Sequence, residues 1–132
     1  MTFLDTSVIV DMIEDVPEVV RYVEDRGQPY FTSVICVFEV VNGRVGGGET
    51  DVVGVRQEFD GVRAIDCDER IALEAGRIQD RLMSAGERMA PRDLIVAATA
   101  RSTGDELVVT DDDFETTVLA ELLNLTSLSK AR

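Results

Sequence analysis

Histidine is absent from the 132 residues of this chain. Its absence excludes Ser-His-Asp and Cys-His nucleophile systems, the His-based zinc hydrolase motifs and any imidazole general base. Cysteine is scarce. Cys36 and Cys67 lack CxxC spacing and stand among apolar or helix-starting residues, so they read as two buried free thiols in a reducing cytoplasm, not as a disulfide or metal clip. No apolar run approaches the roughly 20 residues that cross a bilayer, and the first residues lack the basic stretch of a secretory signal. The expectation is a cytoplasmic protein with no membrane partner.

Lysine is nearly missing too. The thirteen basic residues include one lysine, Lys130; the rest are arginine, and 26 acidic residues bring the net charge to −13. Such a surface repels a polyanion at low salt. Two features weaken that objection. Arginine is the side chain suited to bidentate phosphate contacts, and an acidic, lysine-poor composition fits a salt-adapted cytoplasm, where a Debye length of about 3 Å at molar salt removes long-range repulsion. For chemistry, what remains is oxygen, and oxygen ligands select hard cations such as Mg²⁺ or Mn²⁺.

Acidic residues stand in four places that otherwise read as core: Asp5 after Phe3 and Leu4, Glu39 between Phe38 and Val40, Asp93 before Leu94, Ile95 and Val96, and Asp111, Asp112 and Asp113 after Val108, Val109 and Thr110. A carboxylate withdrawn from water costs about several kcal/mol unless it is paired, protonated or metal-bound. Four such stations suggest a metal site. Singly, each has a plainer explanation: Asp5 as a helix cap, Asp93 as a favourable first-turn acid, the aspartate run as a solvated turn. Glu39 has the least obvious one, since Arg44 is the single basic residue within helical reach and lies on another face.

With 45% hydrophobic residues, the chain suffices for one domain, residues 1–132, with a core that needs no staples. Residues 2–5 read as a buried strand, followed by a helix to about Glu14. Pro17 starts a second helix that Gly27 ends. A strand at 29–31 leads to a third helix, capped by Thr32 or Ser33 and reaching about Asn42. Residues 51–59 read as helix, 62–65 as strand, and Asp66 or Asp68 caps a long helix to about Ser84, where Ile71, Ala75, Ile78 and Leu82 share one face. Pro91 starts the next helix and Gly104 ends it; 107–110 is an apolar strand, 114–122 a helix and 125–127 a last strand. Strands alternating with helices imply a mainly parallel sheet covered on both faces. In such a sheet ligands gather beyond the carboxyl ends of the strands, where Asp5 and the aspartate run would lie, with Glu39 and Asp93 reaching in from helices.

The segments Phe3-Leu4-Asp5-Thr6-Ser7, the mid-chain helical Glu39, Arg92-Asp93-Leu94-Ile95-Val96-Ala97-Ala98-Thr99-Ala100 and Thr110-Asp111-Asp112-Asp113-Phe114 together resemble PIN-domain ribonucleases, in particular the VapC-type toxins of toxin–antitoxin modules. The resemblance spans nearly the whole chain. It implies a three-layer α/β/α domain with four or five strands, and a Mg²⁺ or Mn²⁺ site made by Asp5, Glu39, Asp93 and Asp112. The last spacing is one residue short of the family's usual T-x-D-x-x-F pattern. Counting forward from Thr110 selects Asp112, counting back from Phe114 favours Asp111. Thr6 and Thr110 are either hydroxyls that orient carboxylates or metal-bound water, or simple caps.

The implied activity is metal-assisted hydrolysis of RNA phosphodiesters, with Arg88 and Arg92 as substrate contacts if they are not merely solvated. The implied assembly is a homodimer silenced by an antitoxin. Other classes fit less well. A haloacid-dehalogenase phosphatase normally has a second aspartate where Ser7 stands, and a receiver domain wants a lysine after a late strand. A PIN nuclease of RNA processing without an antitoxin and a non-catalytic acidic interaction module remain as alternatives.

Overall fold

The computed structural model describes residues 1–111, 113–114 and 116–128. Its elements run β1 (Thr2–Leu4), α1 (Thr6–Ile13), α2 (Pro17–Arg26), β2 (Tyr30–Ser33), α3 (Val34–Asn42), α4 (Val52–Gln57), β3 (Val62–Ile65), α5 (Glu69–Ser84), α6 (Pro91–Thr103), β4 (Glu106–Val109), α7 (Thr117–Leu122) and β5 (Leu125–Ser127). The strands form one sheet in the order β3-β2-β1-β4-β5, and every neighbouring pair is parallel.

Alternation along the strands creates the layers. On β1, Phe3 enters one apolar cluster with Leu107 and Val109 of β4 and with α5, α6 and α7. Leu4 and Val108 point the other way, into a cluster with α1, α2 and α4. The result is the three-layer arrangement expected of residues whose side chains switch faces at every step. Helix α3 supplies Cys36 to the first cluster and Val40 to the second. Most of α6 is buried, with Val96, Ala97, Ala98 and Ala100 wholly covered. Small side chains let this helix approach its neighbours on several sides, which fixes its first turn in space.

Local rules set the helix boundaries. Ser33 accepts from the Ile35 amide at 3.1 Å and Asp68 from the Ile71 amide at 3.0 Å, so the nearer residue of each proposed capping pair is the cap. Pro91 opens α6 and Gly104, at φ +74, closes it in the left-handed region where glycine is unstrained. The clearest shortening is near the end: α7 begins at Thr117, capped by Thr116, whose hydroxyl accepts from the Leu119 amide at 2.9 Å. Phe114 instead buries fully in the core, because a large aromatic gains more from burial than from a place on a short surface helix.

Strands β1 to β3 step away in one direction and β4 to β5 in the other, so the order reverses between β1 and β4. Leu4 pairs with Val108, and the Asp5 amide donates to the Val108 carbonyl at 3.1 Å. Asp5 and the segment after β4 therefore meet at the crevice where an open parallel sheet places its ligands. Among the described residues no helix is long and apolar enough to cross a membrane.

Candidate metal centre

Asp5 stands at the N-cap position of α1 in extended conformation, yet its side chain makes no capping bond. The carboxylate faces the crevice instead. Its Oδ1 accepts from Arg92 Nη2 at 2.8 Å and from the Cys36 thiol at 3.6 Å, while its buried Oδ2 has no partner among the described residues. A wholly buried residue with an unused carboxylate oxygen is costly unless something else uses that oxygen. Capping does not account for Asp5.

Two helices bring the other acids. Asp93 sits in the first turn of α6 and is nearly buried; Arg92 Nη1 donates to its Oδ1 at 2.7 Å. Glu39 lies on α3, two turns from the Ser33 cap, and receives Arg92 Nε at 2.9 Å on each oxygen and Thr6 Oγ1 at 2.5 Å on Oε1. Arg92 Nη2 donates to Glu39 Oε1 as well, and at 2.8 Å to Thr6 Oγ1. Thr6 is thus a positioning hydroxyl, linking Glu39 to the guanidinium.

Three expected site residues, Asp5, Glu39 and Asp93, are therefore gathered around one guanidinium. Two surroundings differ from expectation. Glu39 is half-buried and its neighbour Phe38 is 64% exposed, because α3 is apolar on more sides than one core can cover. Arg92 is no solvated surface group, since only 28% of its side chain is exposed. Cys67 is also exposed, against the expectation of two buried thiols, whereas Cys36 is buried. Cys67 lies in the loop between β3 and α5, which carries no inward face.

The aspartate run is partly in view. Asp112 lies outside the described residues. Asp111 accepts from the Asp113 amide at 3.1 Å and raises the pKa of both Asp5 and Asp93; Asp113 does so for Asp93. Asp111 and Asp113 therefore share the negative field of the crevice. Thr110 is buried and its amide donates to Ser7 Oγ at 3.3 Å, tying the end of β4 to the start of α1.

Burial pushes the Asp5 carboxyl up from 3.8 to about 6, against the opposing pull of Arg92. Asp93 is also raised, chiefly by burial. For Glu39 burial acts upward too, but the bonds from Arg92 and Thr6 outweigh it and its pKa falls. Arg92 loses by burial and gains more from Glu39, Asp5 and Asp93, so its charge is secured. Burial and Asp5 together raise the Cys36 thiol, keeping it a neutral donor and no thiolate ligand.

The Asp5 shift has a measurable consequence. A carboxyl raised in the folded state contributes stability that is fully present below pH 3.8 and lost as pH climbs through about 6. Metal-free Asp5→Asn lacks that loss. Its stability relative to the parent should therefore rise by about 3 kcal/mol between pH 3 and 7, as read from urea melts in chelator. A difference independent of pH would show that Asp5 ionises normally.

As the side chains stand, among the described residues no three acids or thiols close on a point that could hold an ion; the guanidinium stands between them. The donor set nevertheless suits a hard cation: carboxylate oxygens from three elements, one of them without a partner, already converging on a positive group.

The PIN-domain family model matches residues 2–119. This chain belongs to the PIN-domain family. Among solved structures, this PIN domain is similar to a DNA-bound VapBC from Salmonella typhimurium, with 24% identity, TM-score 0.74 and 96% of each chain covered. VapBC-1 from nontypeable Haemophilus influenzae is similar at 20% identity and TM-score 0.74, covering 97% of this chain and 98% of that one. VapBC2 from Rickettsia felis, bound to a promoter DNA fragment, is similar at 19% identity and TM-score 0.73, covering 96% and 97%. No curated protein sequence matches the chain significantly. The fold expected from the sequence, a PIN-like α/β/α domain, is the one found.

Proposed function

We propose that this PIN domain is a metal-dependent endoribonuclease, the toxin of a toxin–antitoxin pair, working in the cytoplasm with Mg²⁺ or Mn²⁺. The observation that carries the reading is the gathering of Asp5, Glu39 and Asp93 from separate elements around one positive group, at the crevice where the strand order reverses. Asp112 is our choice for the fourth ligand, with Asp111 as the alternative. A divalent ion bound here would lower the pKa of a water and offset charge on the scissile phosphate. The protein's part is to hold its ligands still. The Asp5 backbone is anchored to β4, Thr6 sets the rotamer of Glu39, Cys36 walls the floor, and the packed α6 fixes Asp93.

An antitoxin partner and a homodimer belong to the same proposal. Solved structures similar in fold include a toxin–antitoxin complex and a member of the VapBC family of toxin–antitoxin systems, and this chain exposes Phe38, Val45, Val52 and Val53 around α3 and α4. A surface with that many large apolar side chains is suited to a protein partner. RNA as substrate fits the arginine-rich basic set, with the exposed Arg88, four residues before Arg92 in the chain, as a contact.

One experiment tests the reading. The purified chain is incubated with single-stranded RNA in Mg²⁺ or Mn²⁺, in chelator, and after addition of the protein encoded by an adjacent small gene. Cleavage in metal alone, lost in both other arms, is expected. RNA intact in every arm would defeat the assignment, while cleavage that the small partner leaves untouched would remove the antitoxin and keep the nuclease.

A further inference from the structure

Arginine is out of place at the second position of α6. The first turn of a helix carries the positive end of its dipole, and a cation there is disfavoured. Arg92 is nevertheless directed inward, and its guanidinium meets all three acids: Glu39 through Nε and Nη2, Asp93 through Nη1, and Asp5 through Nη2. One positive charge thus faces three negative ones. It leaves an excess that a divalent cation would reduce further, and it leaves Asp5 Oδ2 unused.

We propose that Arg92 is a built-in competitor for the metal: its guanidinium fills the cation position of the metal-free protein and must swing out before a divalent ion can bind. The inference rests on the metal reading above and deepens it, since it says what sets the affinity of that site. Motion of one side chain suffices. The backbone around Arg92 is held by the Leu94 amide on the Ala90 carbonyl at 3.0 Å, and by Gln79, which bonds both the carbonyl and the amide of buried Met89 at 3.0 and 3.2 Å. The side chain itself is partly open to solvent, so it can leave without unfolding α6.

The arrangement has two effects. In metal-free protein Arg92 relieves repulsion among the acids and keeps them converged. For an incoming ion it is a tax, because a site that is vacant of arginine in about one molecule in ten binds metal about tenfold more weakly than an open one.

The test is a calorimetric Mn²⁺ titration of the parent and of Arg92→Gln, with melting of both in chelator. Arg92→Gln should bind Mn²⁺ about tenfold more tightly and melt at a lower temperature without metal. Equal or weaker Mn²⁺ binding by Arg92→Gln, with the parent binding normally, overturns the role of Arg92 and leaves the metal reading intact. If neither protein binds Mn²⁺, the metal reading fails and this inference with it. A measurement on the unaltered chain guards against a variant that does not fold: the NMR signal of the Arg92 Nε–H, bonded to Glu39, should move and exchange faster at saturating Mg²⁺. An unchanged signal at saturation refutes the competition.

Discussion

Asp93→Asn should lower RNA cleavage by at least about 100-fold, a loss of the order seen when one electrostatic group is removed from an active site. The substitution keeps the shape of the side chain while deleting its charge, and the surrounding helix is held by packing that Asp93 does not share: Val96, Ala97, Ala98 and Ala100 are wholly buried. The ion pair with Arg92 at 2.7 Å is weakened, while the burial that raises the Asp93 pKa no longer opposes a charge, so the protein should melt cooperatively at a midpoint no lower than the parent's at neutral pH. Circular dichroism and a fluorescence-quenched RNA substrate read the two effects separately. Across the aspartate run the same assay should rank Asp112→Asn far below Asp111→Asn and Asp113→Asn. An active Asp93→Asn enzyme would remove Asp93 from the metal centre, and a run in which Asp111 is the sensitive position would move the fourth ligand there.

Millimolar Mg²⁺ should raise the melting temperature by about 10 °C once its concentration reaches roughly a hundred times the dissociation constant. Ligand linkage gives about 2.7 kcal/mol at that ratio, and for a domain of this size each kcal/mol moves the midpoint by about 3–5 °C. Ca²⁺-free chelator and matched NaCl provide the baseline, because a general salt effect on a chain of net charge −13 would raise the midpoint without saturating at the stoichiometry of a site. A Mg²⁺ curve that overlays the NaCl curve at equal ionic strength would argue against any specific metal centre.

Much of this could be read from residue order, and the reasons differ by element. The helical face of Ile71, Ala75, Ile78 and Leu82, the proline start at Pro91 and the caps at Ser33, Asp68 and Gly104 are local, and local physics placed those boundaries. Asp5 was conspicuous because a buried strand of three residues precedes it, whatever lies across the crevice. What spacing could not supply was the partner of Glu39: the guanidinium that meets it is 53 positions away, on a helix whose approach depends on the packing of α6. Search within helical reach found Arg44, which instead pairs with Glu58 at 3.0 Å. The one available clue was an arginine at the wrong end of a helix. Exposure of Phe38 was equally hidden, since an apolar helix looks the same in sequence whether its second face meets a core or a partner. Asp112 was chosen by counting along a shortened motif.

The central strand comes first in the chain but is completed only after most of the chain has been made. β1 pairs with β2 across 28 positions, yet its other flank waits for β4, and the contact between Asp5 and Arg92 spans 87 positions. Pairings of that separation form late, because the intervening chain must be closed before they return any stability. During synthesis at about 5–20 residues per second, the first acid of the crevice therefore waits at least several seconds for the helix that carries the third. The gathering of Asp5, Glu39 and Asp93 is therefore a property of the packed domain and of no stretch that stops short of α6.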